Sequence, residues 1–107
     1  MNQERVVALV EQVIRQEGAA FTELYDETVR SVYRLVYLLA GFRSDADDIT
    51  QETYIQLYKS LPKYDVSKSF KPWLIGLIIH VVNQYWRQQQ RLNRIQRKAA
   101  SENGYAY

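Results

Sequence analysis

The chain has no cysteine, two prolines, four glycines and a single histidine in 107 residues. Each shortage excludes something. Without cysteine there is no disulfide and no thiolate metal site, which fits a reducing, cytoplasmic setting. So few prolines and glycines argue against many short strands joined by tight turns, and for long helices. A lone histidine, His80, within an apolar run has no neighbour that would make it a general base. A glycine-rich phosphate loop, a nucleophile elbow and paired histidines are also missing. These shortages predict no catalysis, and neither a cofactor nor a metal. Long apolar runs are missing too. The most apolar window, "WLIGLIIHVV", has ten residues, half of the about 20 that span a bilayer. It reads as a buried helix, and no membrane partner is expected.

What is present is periodic. Val6, Val10, Val13 and Ile14 recur at helical spacing over 4–17, and Gly18 closes that segment. A second helix is predicted from Ala19 to Ala40, with Gly41 as its C′ residue. The third opens at Ser44, which stands before Asp45, Ala46 and Asp47 as in a capping box, and runs to Leu61, where Pro62 stops it. "PKYDVSKS" is a polar loop. The last helix spans 70 to 98, with Ser67 or Ser69 as its cap and Pro72 tolerated in its first turn. Leu74, Leu77, Ile78, Val81 and Tyr85 form its apolar stripe, and only Leu92 and Ile95 continue the pattern beyond Trp86. The fold class is therefore all-α: a compact bundle of about four helices whose last helix projects a basic end. Residues 1–99 form the domain and 100–107 a flexible tail or linker remnant.

Charge is unevenly distributed. Residues 1–58 carry five Lys and Arg against ten Asp and Glu, and residues 59–101 carry nine against one. An acidic front and a basic back suggest partners of opposite charge, or two halves that neutralise each other in one fold. Within "DADDITQETYIQLYKSL", Asp48, Gln51, Glu52 and Ile55 share one helix face. That face reads as either solvated or a docking surface for a basic partner. Arg87, Arg91, Arg94 and Lys98 make a second stripe, interleaved with Gln84, Gln88 and Gln89 and preceded by Tyr85 and Trp86. Cations neutralise phosphate, amides bond base edges and aromatics stack on unpaired bases. No acid lies between Asp65 and Glu102 to make this an ordinary mixed-sign solvated helix.

"DADDITQETYIQLYKSLPKYD" followed by "FKPWLIGLIIHVVNQYWRQQQR" resembles region two of a bacterial sigma factor of the extracytoplasmic-function group. The resemblance rests on Asp47, Asp48, Ile49, Gln51, Glu52 and Tyr54, then Phe70, Trp73, Leu74, Leu77, Tyr85, Arg87 and Arg91. It implies a transcription-initiation subunit that binds core RNA polymerase and recognises and helps melt the minus-ten promoter element. The polymerase contacts it implies, on the clamp helices of the largest subunit, are Asp47, Asp48, Gln51, Glu52 and Tyr54. The DNA contacts, on the non-template single strand, are Lys63, Lys68, Phe70, Lys71, Trp73, His80, Asn83, Gln84, Arg87, Arg91 and Arg94, with a flipped base held against the loop 62–69. An anti-sigma factor is a further expected partner. The chain departs from the group pattern at Gly76, Ile79, His80 and Gln84, so promoter preference does not carry over, and the group's second DNA-binding domain is not in this sequence. The competing reading is a helical regulator that binds duplex DNA or another protein and never engages polymerase.

Overall fold

The computed structural model describes residues 2–102. Its order is α1 (Gln3–Ile14), α2 (Ala20–Ala40), α3 (Arg43–Ser60), a single 3₁₀ turn (Leu61–Lys63) and α4 (Phe70–Glu102), with no strand among the described residues. The sequence-based expectation of four helices holds. Val6, Leu9 and Val10 of α1, Leu24, Val32 and Val36 of α2, Ile49 and Leu57 of α3, and Leu74, Ile78 and Val81 of α4 meet in one core. Each helix contributes residues three, four or eight apart, spacings that line up one face.

The helix ends depart from expectation in instructive ways. Asn2 caps α1 by accepting from the Arg5 N–H at 3.1 Å. The helix then stops at Ile14, before Gly18, because Gln16 already adopts a positive φ of 56°. Ser44 does not cap α3. The helix begins one residue earlier, at Arg43, and Phe42 occupies the cap position with no side-chain bond. Ser44 therefore lies inside the first turn, where its own backbone is helical and its hydroxyl cannot play the cap role. Gly41 ends α2 as expected, at φ 83°, with its N–H on the Tyr37 carbonyl. Pro62 lies in the 3₁₀ turn that follows α3.

α4 has 33 residues, about 50 Å at 1.5 Å per residue. The bundle measures 58 × 24 × 23 Å, so α4 sets its long axis. Burial along α4 extends through Val82, with Tyr85 and Trp86 packed against the core edge, while Leu92 and Ile95 are exposed. The helix continues through residues 100–102, and the rest of the expected tail lies outside the described residues.

Two core features predict measurable costs. Phe70 is fully buried, with its ring edge-on to Tyr64 at 5.5 Å. Phe70→Ala should cost about 3–5 kcal/mol in urea unfolding. Thr28 donates to the Leu24 carbonyl, so its 2.7 Å contact with Tyr54 is a bond donated by the Tyr54 hydroxyl. Tyr54→Phe should cost about 1 kcal/mol in the same assay.

Candidate polymerase and nucleic-acid interfaces

α3 buries Ala46, Ile49, Thr50, Thr53, Tyr54 and Leu57. Asp47, Asp48, Gln51, Glu52 and Ile55 are left exposed on the opposite side. The expected docking residues are therefore together and accessible, with one correction. Tyr54 is 6% exposed, and its ring sits against Phe21 and Tyr25. Burial pushes its hydroxyl up to about 12. It supports the surface from below.

That surface continues into a groove the sequence reading missed. Between α2 and α3 lies an open, mainly apolar groove of about 1240 Å³. Tyr25, Tyr33 and Tyr37 line it from α2, and Gln51, Ile55 and Tyr58 from α3. Nine tyrosines in the sequence were the available signal. Spacing within one helix could not show that two helices would pool them. Thr50 lines the same groove, and its hydroxyl is buried with no hydrogen-bond partner among the described residues. Burial and the Asp47 carboxylate both push the Tyr33 hydroxyl upward.

On α4, His80, Asn83, Arg87, Arg91, Arg94 and Lys98 are all exposed. Their steps of three and four place them on one stripe, opposite the buried Leu74, Ile78 and Val81. Gly76 begins that stripe, and a Cβ added there would meet nothing within 4 Å. The ion pairs among the described residues are Arg5–Glu27 and Arg15–Glu17, and neither draws on α4. Lys63, Lys68 and Lys71 are exposed around the loop before α4. Three expected DNA contacts are placed differently. Phe70 is 0% exposed and is a core residue, because the helix start turns its ring inward against Tyr64 and Trp73. Trp73 is half-buried. Gln84 faces sideways into a small groove with Asp48, Glu52, Tyr85 and Gln88, between α4 and the acidic face of α3.

α3 and α4 are tied beside the start of the acidic face. Tyr85 donates a 2.6 Å hydrogen bond to Asp45. That bond, then burial and the charges of Asp45 and Asp48, push the phenol up to about 12. No group of three His, Cys, Asp or Glu is placed to hold a metal among the described residues. No described helix is long and apolar enough to cross a membrane.

An acidic helix face beside an apolar groove, with a basic stripe on a projecting helix, defines an all-helical domain with two differently charged surfaces. A family model, Sigma-70 region 2, matches residues 24–92. The chain belongs to the sigma-70 region 2 family. It is 31% identical over 99 residues to the ECF RNA polymerase sigma factor SigC of Mycobacterium tuberculosis, covering 92% of this chain and 53% of that one. It is 37% identical over 82 residues to SigE of Mycolicibacterium smegmatis, covering 73% of this chain and 30% of that one. The chain thus spans about half the length of SigC, or less of SigE. An engineered region 2 of sigmaE, solved by NMR in complex with GTAAAA, superposes with a TM-score of 0.74. It is 28% identical and covers 80% of this chain and 90% of that one.

Two outcomes follow from this geometry. Tyr54 and Tyr85 are both neutral and bonded in the folded state, with phenols raised from 10.0 to about 12. Their contribution to stability is complete below pH 10 and is lost as pH rises toward 12. Chemical denaturation across that window should show the loss, and Tyr85→Phe should reduce its steepness. Gly76→Ala should stabilise the domain by about 0.5–1 kcal/mol, since the helix gains propensity and the new methyl meets nothing.

Proposed function

We propose that the chain is the core-binding and promoter-opening domain of a sigma factor, acting as a specificity subunit and not as a catalyst. The observation that carries this reading is the separation of two differently charged surfaces on one rigid bundle. α3 offers Asp47, Asp48, Gln51 and Glu52 beside the tyrosine groove, and α4 offers its basic stripe.

The α3 face suits a basic helical element of polymerase. Carboxylates steer it and the apolar groove supplies burial, which matters because exposed ion pairs alone contribute little. The α4 stripe suits a single strand. Arg87, Arg91 and Arg94 meet phosphates along about two turns of helix, and His80 and Asn83 stand where bases could be read. Lys63, Lys68 and Lys71 flank the loop against which a flipped base would rest. Unstacking costs a few kcal/mol and each stacked base returns about 1–3. Weak binding by the isolated domain and stronger binding alongside polymerase follow. The relative solved with GTAAAA supports a single-stranded ligand for this fold. An anti-sigma protein covering the α3 face, and a cytoplasmic location, belong to the same proposal.

Gln51→Ala with Glu52→Ala should abolish binding to core polymerase while leaving helicity and the unfolding midpoint unchanged, because both side chains are exposed. Retained binding would overturn the docking assignment. Arg87→Ala with Arg91→Ala should weaken single-strand binding and lower the slope of log K against log salt by about 1.4, near 0.7 per phosphate contact. An unchanged slope would remove α4 from the nucleic-acid interface.

A further inference from the structure

Within that reading, the loop from Pro62 to Ser69 has to hold a shape. Its own residues do part of this. The Tyr64 N–H returns to the Leu61 carbonyl at 3.0 Å, and the Lys68 N–H to the Asp65 carbonyl at 3.0 Å. Asp65 accepts from both the Ser67 N–H, at 3.0 Å, and the Ser67 hydroxyl, at 2.7 Å. Those two bonds hold its carboxyl below the usual range and occupy the loop's one acid. The Tyr64 hydroxyl reaches across the loop to the Lys68 carbonyl. Its ring is 5% exposed and stacks near Trp73, centroids 4.9 Å apart.

The remaining restraint comes from the far end of the chain. Gln3, the first residue of α1, accepts from the Phe70 N–H at 3.2 Å through its side-chain oxygen. Phe70 is the first residue of α4, and its N–H is one of the orphan donors that a helix start must satisfy. Phe70 in turn packs edge-on against Tyr64, ring centroids 5.5 Å apart, so the bond fixes the loop's last turn against its buried tyrosine. One amide from α1 therefore holds the end of the loop, at the residue where α4 begins. Gln3 itself is exposed and carries no core packing. It also lies before the family match, which starts at residue 24.

We propose that Gln3 is a positioning residue for nucleic-acid binding: α1 braces the 62–69 loop through the Gln3 side chain, so the loop is preformed before a base reaches it. This inference rests on the single-strand reading of α4 and the loop, and its consequence is energetic. A loop already ordered loses less freedom on binding, so affinity rises with no new contact to the strand. Gln3 touches no nucleic acid in this account. It acts only through Phe70.

The test compares Gln3→Met, which keeps length and helix propensity but has no strong acceptor, with Gln3→Glu, which keeps the acceptor. Amide hydrogen exchange of the free protein is read first. Gln3→Met should speed exchange of the Phe70 amide and its loop neighbours roughly three- to tenfold, the range of one modest hydrogen bond. Exchange in the α2 core should stay unchanged, and Gln3→Glu should restore the slow rate at Phe70. Affinity for the single strand GTAAAA should fall by a similar factor in Gln3→Met and recover in Gln3→Glu, with core polymerase affinity and the salt slope unmoved. A purely structural role would instead lower both affinities together. Exchange unchanged in Gln3→Met overturns the brace. Faster exchange with unchanged strand affinity overturns its role in binding. If the wild-type chain binds no single strand even beside core polymerase, the function proposed above fails, and exchange alone then decides whether the brace exists.

Discussion

Tyr85 donates its 2.6 Å hydrogen bond to Asp45 at the last level where α4 still packs against the bundle. Below that level, Ile78, Val81 and Val82 are buried. Above it, Arg87, Arg91, Arg94, Arg97 and Lys98 are exposed. The register of α4 against α3 is therefore set by a stripe of apolar side chains and finished by one directional bond. That register decides where two surfaces point. If α4 rolled by one residue, about 100°, the arginine stripe would swing toward the acidic face of α3 and the two would neutralise each other. Hydrophobic burial fixes the helix in place, and the hydrogen bond adds the direction that burial lacks.

The consequence is a small domain that keeps opposite charges apart on one rigid body. Such a separation is not the lowest electrostatic arrangement for an isolated bundle. Neither the acids of α3 nor the arginines of α4 find ion-pair partners among the described residues. The groove of tyrosines between α2 and α3 is a similar case, with a buried threonine hydroxyl left unbonded. Unpaired charge and uncovered aromatic surface are tolerable in water and become useful when two partners supply what is missing. The fold's stability comes from elsewhere, from the aliphatic layer and the Tyr64–Phe70–Trp73 cluster at the start of α4.

Much of this was legible in the residues. The stripe from Leu74 to Tyr85, the break at Gly41 and the stop at Pro62 are local and periodic, so helix count and order followed from spacing. The exposed faces of α3 and α4 followed from the same geometry. What was not legible depends on backbone angles or on distant partners. Ser44 matches a capping pattern, yet the helix starts one residue before it, because a cap is a conformation and not a residue type. Phe70 and Tyr54 stand in family positions that suggested contact, but aromatic rings are as easily turned into a core as out of it, and both were turned in. The tyrosine groove needs two helices side by side. The bond from Gln3 to Phe70 joins residues 67 apart in sequence, and no local pattern announces it.

One bundle should engage core polymerase and a single DNA strand at the same time, through two separate surfaces. The most direct measurement is the sedimentation of a labelled single strand GTAAAA with core polymerase, in the presence and absence of this chain. The account predicts that the strand co-sediments with polymerase far more strongly when the chain is present, as a three-component complex. If the chain bound polymerase only in the absence of the strand, or the strand only in the absence of polymerase, the two surfaces would be one site and the account would be contradicted.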